Sequence, residues 1–181
     1  MKQLNSNNRG FSLVEVVVVL ALVSAISAIA GYGFSMTNGK PAQECAKKLA
    51  GAISHGRTTT MGKYRNEIIV KKETNGTLTV TEDTYTSESD ITNNTPSQSR
   101  SSTVGAKGVT VKYQIGTGGY NTELTEGDEI HLRYDSGSGA MKKTANGGSD
   151  YYTGFEISKA GKVWYVKLET LTGNITTSTT P

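Results

Sequence analysis

FSLVEVVVVLALVSAISAIA, residues 11–30, decides the fold, because it is the one long apolar run of the chain and carries a single charge, Glu15. About 20 residues of this kind rise about 30 Å as a helix, which matches the hydrocarbon core of a bilayer. The preceding MKQLNSNNRG holds Lys2 and Arg9 and no acid. The positive-inside bias then places the N-terminus in the cytoplasm and everything after about Gly31 across the cytoplasmic membrane. Nothing after residue 35 holds more than a short apolar run. The chain therefore reads as a single-pass transmembrane helix over 11–35 followed by a water-exposed remainder.

Three readings of this run compete. A plain signal anchor satisfies the hydropathy. A secretory signal peptide fits too, since Ala28-Ile29-Ala30 offers a small-x-small cleavage pattern before Gly31. Neither explains Glu15, whose carboxylate inside an apolar span costs about 2.5–3.5 kcal/mol on insertion scales. The third reading uses it. That reading rests on a cut after Gly10, which the family resemblance of this junction implies; Gly10 has no side chain to obstruct a shallow protease subsite, and Glu15 then lies about one helical turn from the new amine, on the same face as Phe11. A carboxylate and an ammonium attract strongly in low dielectric, and either alone is costly there. Within one chain the geometry is awkward. Between neighbouring copies, Glu15 of one reaches the Phe11 amine of the next and sets the register of stacked helices.

Arg9-Gly10-Phe11-Ser12-Leu13-Val14-Glu15, followed by VVVVLALV, resembles the class III leader junction of type IV prepilins and pseudopilins. The resemblance implies a leader of residues 1–10, removed by prepilin peptidase. That membrane aspartyl protease cuts between Gly10 and Phe11 on the cytoplasmic side and methylates the new amine of Phe11. It also implies assembly through the N-terminal helix, with other pilin or pseudopilin subunits and an assembly platform, into a type IV pilus or a type II secretion pseudopilus. The protein would pass from the inner membrane into an extracellular or periplasmic filament, with Glu15 supplying the subunit-assembly salt bridge.

Composition bounds the rest. A chain of 181 residues has room for one domain of ordinary size. Its apolar fraction is 35%, and 25 Thr and 17 Ser stand against 3 Pro. Thr suits a pleated surface and Ser suits turns, so strands and polar loops outweigh helices. A net charge of +3 is too weak to argue for nucleic acid. One cysteine, Cys45, excludes an intramolecular disulfide and a Cys-rich zinc site, and two histidines leave little for a His-based one.

Past the apolar run, Gly31, Gly33 and Gly39 weaken helix and Pro41 disfavours it at Lys40, so residues 31–40 read as a kinked or partly melted joint. An amphipathic helical segment is assigned to 36–63, its regular part starting at Pro41. Ala42, Cys45, Leu49, Ala52, Ile53 and Gly56 recur at spacings of three and four and form one stripe to lay on a sheet. Residues 64–181 read as a β-rich globular head. Glu67–Lys72 and Thr77–Thr81 flank Asn75-Gly76 and predict a hairpin with a type I′ turn. The stretch Thr84 to Thr103, nearly all Ser, Thr, Asn, Asp and Glu, reads as a long exposed loop. Val109–Ile115, Glu129–Tyr134, Phe155–Ile157, Val163–Leu168 and a tail strand near Ile175 bring the total to about seven antiparallel strands.

The fold class is thus α+β, a long N-terminal helix, transmembrane and then amphipathic, packed on an antiparallel β-rich head. Pro41 to Val70, a helix with Ala46, Leu49, Ala50, Ile53 and Gly56 running into a first strand, resembles the GspH/FimT-like minor pilins. So do Gly154-Phe155-Glu156-Ile157, Gly161-Lys162-Val163 and Leu171-Thr172-Gly173-Asn174-Ile175. That likeness implies a pilin-like head.

Sites for other chemistry are thin. Cys45 reads as a buried small hydrophobe, His55 as a solvated helix-face residue, and His131, alternating with Ile130 and Leu132, as exposed. Asp135-Ser136-Gly137-Ser138-Gly139 has too few oxygen ligands for a calcium loop. No P-loop, dinucleotide fingerprint or nucleophile elbow occurs, so no enzyme, cofactor or metal is expected. Some FimT-like minor pilins bind DNA and other minor pilins adhere to surfaces, which makes a binding head the alternative reading. Phosphate contacts need clustered Lys and Arg. Lys142 and Lys143 are the best candidates, then Lys71-Lys72 and Lys63 with Arg65, whereas the tail from Asn174 has none. Nucleic acid is therefore not an expected partner. Tyr120, Tyr151 and Tyr152, in Gly-rich loops, are candidates for surface contact.

Overall fold

A computed structural model describes residues 13–61 and 65–181, the side chains of 25, 26 and 28–38 apart. The chain divides into two units, Met1–Thr37 and Asn38–Pro181. The first contributes helix α1, Leu13–Asn38, which is unbroken. The joint expected over 31–40 is narrowed to Gly39, which separates α1 from the next helix, while Gly31 and Gly33 do not interrupt α1, because a lone glycine costs a helix only about 1 kcal/mol against Ala. Among the described residues, no helix is long and apolar enough to cross a membrane. The expected span of 11–35 begins at Phe11, outside the described residues, and most side chains of its second half are undescribed as well.

The second unit is α+β. Helix α2, Lys40–Thr60, carries Pro41 in its first turn, where the missing N–H has no intrahelical partner to lose. It is shorter than the expected 36–63 segment, and Lys63 lies outside the described residues. Its buried stripe is Ala42, Cys45, Ala46, Leu49, Ile53, Gly56 and Thr60. Strands β1 (Arg65–Lys72), β2 (Leu78–Tyr85), β3 (Gln98–Gly105) and β6 (Glu129–Arg133) form a four-stranded sheet in the order β3-β2-β1-β6. Strands β4 (Thr110–Ile115), β5 (Thr122–Glu123), β7 (Tyr152–Lys159), β8 (Lys162–Leu168) and β9 (Ile175–Ser178) form a second, in the order β5-β4-β7-β8-β9. Every pairing is antiparallel. Helix α2 packs against strands of both sheets, and Leu49 and Ile53 join Ile68, Val70, Leu132, Phe155, Ile157 and Val166 in one core. Each such side chain contributes about 1.5–3 kcal/mol on burial.

Two expectations are corrected here. The β1–β2 turn is not type I′, which needs positive φ at both central residues. Glu73 and Thr77 close a three-residue loop in which Gly76, at φ 80°, has positive φ and Asn75 does not. The Asn75 carboxamide oxygen instead accepts from the Thr77 amide at 2.9 Å, a local bond that holds the turn. The stretch from Thr84 to Thr103 is not a loop. It holds the end of β2, a short helix α3 (Glu88–Thr92) and most of β3. Ser87 and Asp90 form a capping box that starts α3. Strand β3 hides only Val104 and Gly105 and is held by backbone pairing to β2, so it carries no hydrophobic alternation to read.

Candidate functional site

Gly10 and Phe11, the expected cleavage and methylation residues, lie outside the described residues. Glu15 stands in the first turn of α1. Around it the large apolar side chains from Leu13 to Val23 are between 46% and 83% exposed on every side of the helix. A helix apolar all round finds its partners in a lipid phase or an assembly core rather than in water. The two described serines of this helix agree with that. Ser24 Oγ donates to the Leu20 carbonyl and Ser27 Oγ to the Val23 carbonyl, both at 2.7 Å, so each hydroxyl is satisfied within the helix.

In the head, a charged cluster among the described residues is one the sequence reading missed. Glu67 on β1 is almost wholly buried and lies opposite Arg133 in the β1–β6 register, with His131 two residues along. Its carboxylate accepts from Arg133 Nε at 3.0 Å, Arg133 Nη2 at 2.9 Å and Arg65 Nη2, and meets His131 Nδ1 at 2.9 Å. The other His131 nitrogen meets Glu129 at 3.2 Å. Burial alone would raise the Glu67 carboxyl, but these hydrogen bonds and the Arg133 charge hold it down at about 2. Its hydrogen bond in turn raises His131. The expectation of an exposed His131 is thus corrected, since Glu67 on the neighbouring strand and Glu129 on its own leave it only partly exposed. Arg65 also lies 4.7 Å from the centre of the Tyr85 ring. A carboxylate saturated by three cationic partners is a poor base and a poor metal ligand, so this cluster clamps β1 to β6.

The other candidates are also engaged. Burial pushes the Cys45 thiol up to about 12, which suits the small-hydrophobe reading. His55 is exposed on α2 and meets Glu82 at 2.8 Å. Asp135 Oδ1 accepts from the Gly137 and Ser138 amides and the Ser138 hydroxyl, which folds 135–139 as a turn. Among the described residues, no group of three or more His, Cys, Asp or Glu is placed to hold a metal. Lys142 and Lys143 are both exposed. Lys142 Nζ is 3.6 Å from Asp135, and Lys143 Nζ lies 5.5 Å from the centre of the Tyr151 ring. Lys71 faces Glu129 at 3.7 Å, and Lys72 is buried with its ammonium on the Val109 carbonyl. The structure therefore brings no basic patch together from these residues. Tyr152 packs on Tyr113 and Tyr120 on Tyr165, with ring centres 5.7 and 5.2 Å apart.

A family model described as the prokaryotic N-terminal methylation motif matches residues 5–31. That stretch contains Gly10, Phe11 and Glu15, and it marks a leader of the type IV prepilin kind. The match ends before the head begins. No curated protein and no solved structure matches the chain.

Proposed function

We propose that this chain is a non-catalytic structural subunit, a minor pilin or pseudopilin, of a type IV pilus or type II secretion pseudopilus. The methylation motif at residues 5–31 carries the reading, because a leader of that kind marks a type IV pilin-like precursor, processed by prepilin peptidase and assembled with other pilins. The residues that do the work are Gly10 and Phe11 at the cut, Phe11 as the methylated amine, and Glu15 as the neighbour's counter-ion. Two further observations support an assembly role. The described apolar side chains of α1 are exposed all round, and its serines satisfy their own hydroxyls. The GspH/FimT-like likeness of the head fits a minor subunit. The DNA-binding alternative loses ground, because Lys71, Lys72 and Lys142 are each engaged by an acid or a carbonyl.

N-terminal sequencing and intact mass of the mature protein test the proposal. The expected result is a chain that starts at N-methylated Phe11. A mature start at Gly31, or a retained Met1, would overturn it.

A further inference from the structure

Four strand edges flank the two sheets, and they are unequal. Strand β5 is two residues long, β9 four, and β6 five with Glu129, His131 and Arg133 along it. Strand β3 is eight residues long, is exposed from Gln98 to Thr103, contains no proline and carries one charge, Arg100. Long edges with few charges and no proline are the ones that accept another strand. Beside this edge runs a groove of about 330 Å³ between β3 and the flank of α2, lined by Lys48, Gly51, Ala52, Arg100, Ser102 and Val104 among others. A side chain added at Gly51 would meet nothing within 4 Å, so the groove is open at that point of the α2 flank.

The charges decide what fits. The one acid lining this groove, Glu82, is engaged by His55 at 2.8 Å. Lys48 and Arg100 have no ion-pair partner among the described residues. A guest strand beside β3 would extend the four-stranded sheet, and its alternate side chains would point into the groove. Small or branched apolar residues fit beside Gly51 and Ala52, and carboxylates fit beside Lys48 and Arg100. We propose that the β3 edge and its groove are a docking site for an extended acidic segment of a partner protein, added as a fifth strand. Affinity comes from main-chain hydrogen bonds, and the two cations select the charge. This site belongs to the head and stands apart from the assembly reading of α1.

The test uses the full chain in detergent and a fluorescent probe peptide, acetyl-Asp-Thr-Val-Thr-Glu-Thr-amide, whose Asp, Val and Glu share one face as a strand. Saturable binding is expected. A peptide of the same sequence with alternate backbone nitrogens methylated should fail to bind, because it keeps the charges and loses the strand pairing. Arg100→Gln and Lys48→Gln should each weaken binding about fivefold, with an unchanged thermal midpoint showing that the variants fold. Equal binding of the methylated peptide, or of a version with Lys in place of both acids, would overturn the proposal. So would no binding at about 1 mM peptide. Cross-linking of Ser101→Cys to itself between copies, without peptide, would also overturn it by showing a second copy on the edge.

Discussion

Glu67 is coupled to His131, and the pair gives the head a two-sided pH dependence. The Glu67 carboxyl falls from an ordinary 4.5 to about 2 in the fold, so its contribution is present above 4.5 and is lost as pH falls toward 2. His131 is raised from an ordinary 6.5, so its contribution is present below 6.5 and is lost as pH rises through the folded value. Denaturant titrations of the full chain in detergent should therefore show highest stability between about 4.5 and 6.5, with a fall on each side. His131→Gln should remove the alkaline fall and keep the acid one. Glu67→Gln should shrink the alkaline fall without abolishing it, since Glu67 is the first cause of the His131 shift and Glu129 stays beside the ring. It should shrink but not abolish the acid fall, because Asp90, Asp128 and Asp135 are also lowered. An alkaline fall unchanged in Glu67→Gln would disprove the coupling. At Glu15 the expectation is a separation of steps. Glu15→Ala removes a charge that costs about 2.5–3.5 kcal/mol on insertion, so insertion and cleavage after Gly10 should persist while incorporation into filaments falls. Fractionation of sheared filaments against membranes measures this, and normal incorporation would rule out the salt bridge. Glu15 was readable because it interrupts an apolar run. Glu67 was not, because its partners His131 and Arg133 lie 64 and 66 residues away in the chain.

Helix α2 places two glycines under opposite constraints. A Cβ on Gly56 would lie 2.5 Å from Ile68 Cδ1 and 2.6 Å from its Cγ1, inside the packed core. A Cβ on Gly51 would meet nothing within 4 Å. Gly-to-Ala changes therefore differ in sign within one helix. Gly51→Ala should stabilise by about 0.5–1 kcal/mol through helix propensity alone. Gly56→Ala should cost about 1–3 kcal/mol, because α2 must lift from β1 or Ile68 must leave its rotamer. Midpoints of chemical denaturation separate the two, and a stabilised Gly56→Ala would mean that helix and sheet are not packed as described. The stripe on α2 was legible because its burial is one-sided: Ala42, Cys45, Leu49, Ile53 and Gly56 are read from spacing and found buried. Strand β6 was legible for the same reason, with Ile130 and Leu132 buried between residues that are not, and β1, β4 and β8 were legible from their β-branched and apolar residues. Strand β3 was illegible because Gln98 to Thr103 is exposed and its pairing to β2 is main-chain work, which side-chain patterns do not record. The β1–β2 turn was legible as a hairpin from Asn75-Gly76, but not in its type.

At the scale of the whole molecule, the leader motif and the core occupy different units. The motif ends at residue 31, and every residue of the hydrophobic core cluster falls between Ala42 and Leu168. Among the described residues, the core cluster that opposes the conformational entropy of folding thus lies in the chain from Asn38 onward. That chain also keeps Gly39, whose carbonyl accepts the Gln43 amide at 3.3 Å at the start of α2. That start has no side-chain cap to lose. The clamp at the other end of α2 is retained as well, with Arg57 Nε donating to the Gly139 carbonyl at 3.0 Å and Nη2 to that of Thr172 at 2.6 Å. A chain beginning at Asn38 should therefore be expressed as a folded, water-soluble protein. Its cooperative thermal midpoint should match that of the full chain in detergent within about 3 °C, equivalent to less than about 1 kcal/mol. The same truncation removes the whole methylation motif, so it should abolish peptidase processing and filament entry together. Circular dichroism melting and gel filtration measure the first expectation, and fractionation of cells measures the second. A non-cooperative melt of the truncated chain would show that residues before Asn38 complete the core. Filament entry without them would show that assembly runs through the head.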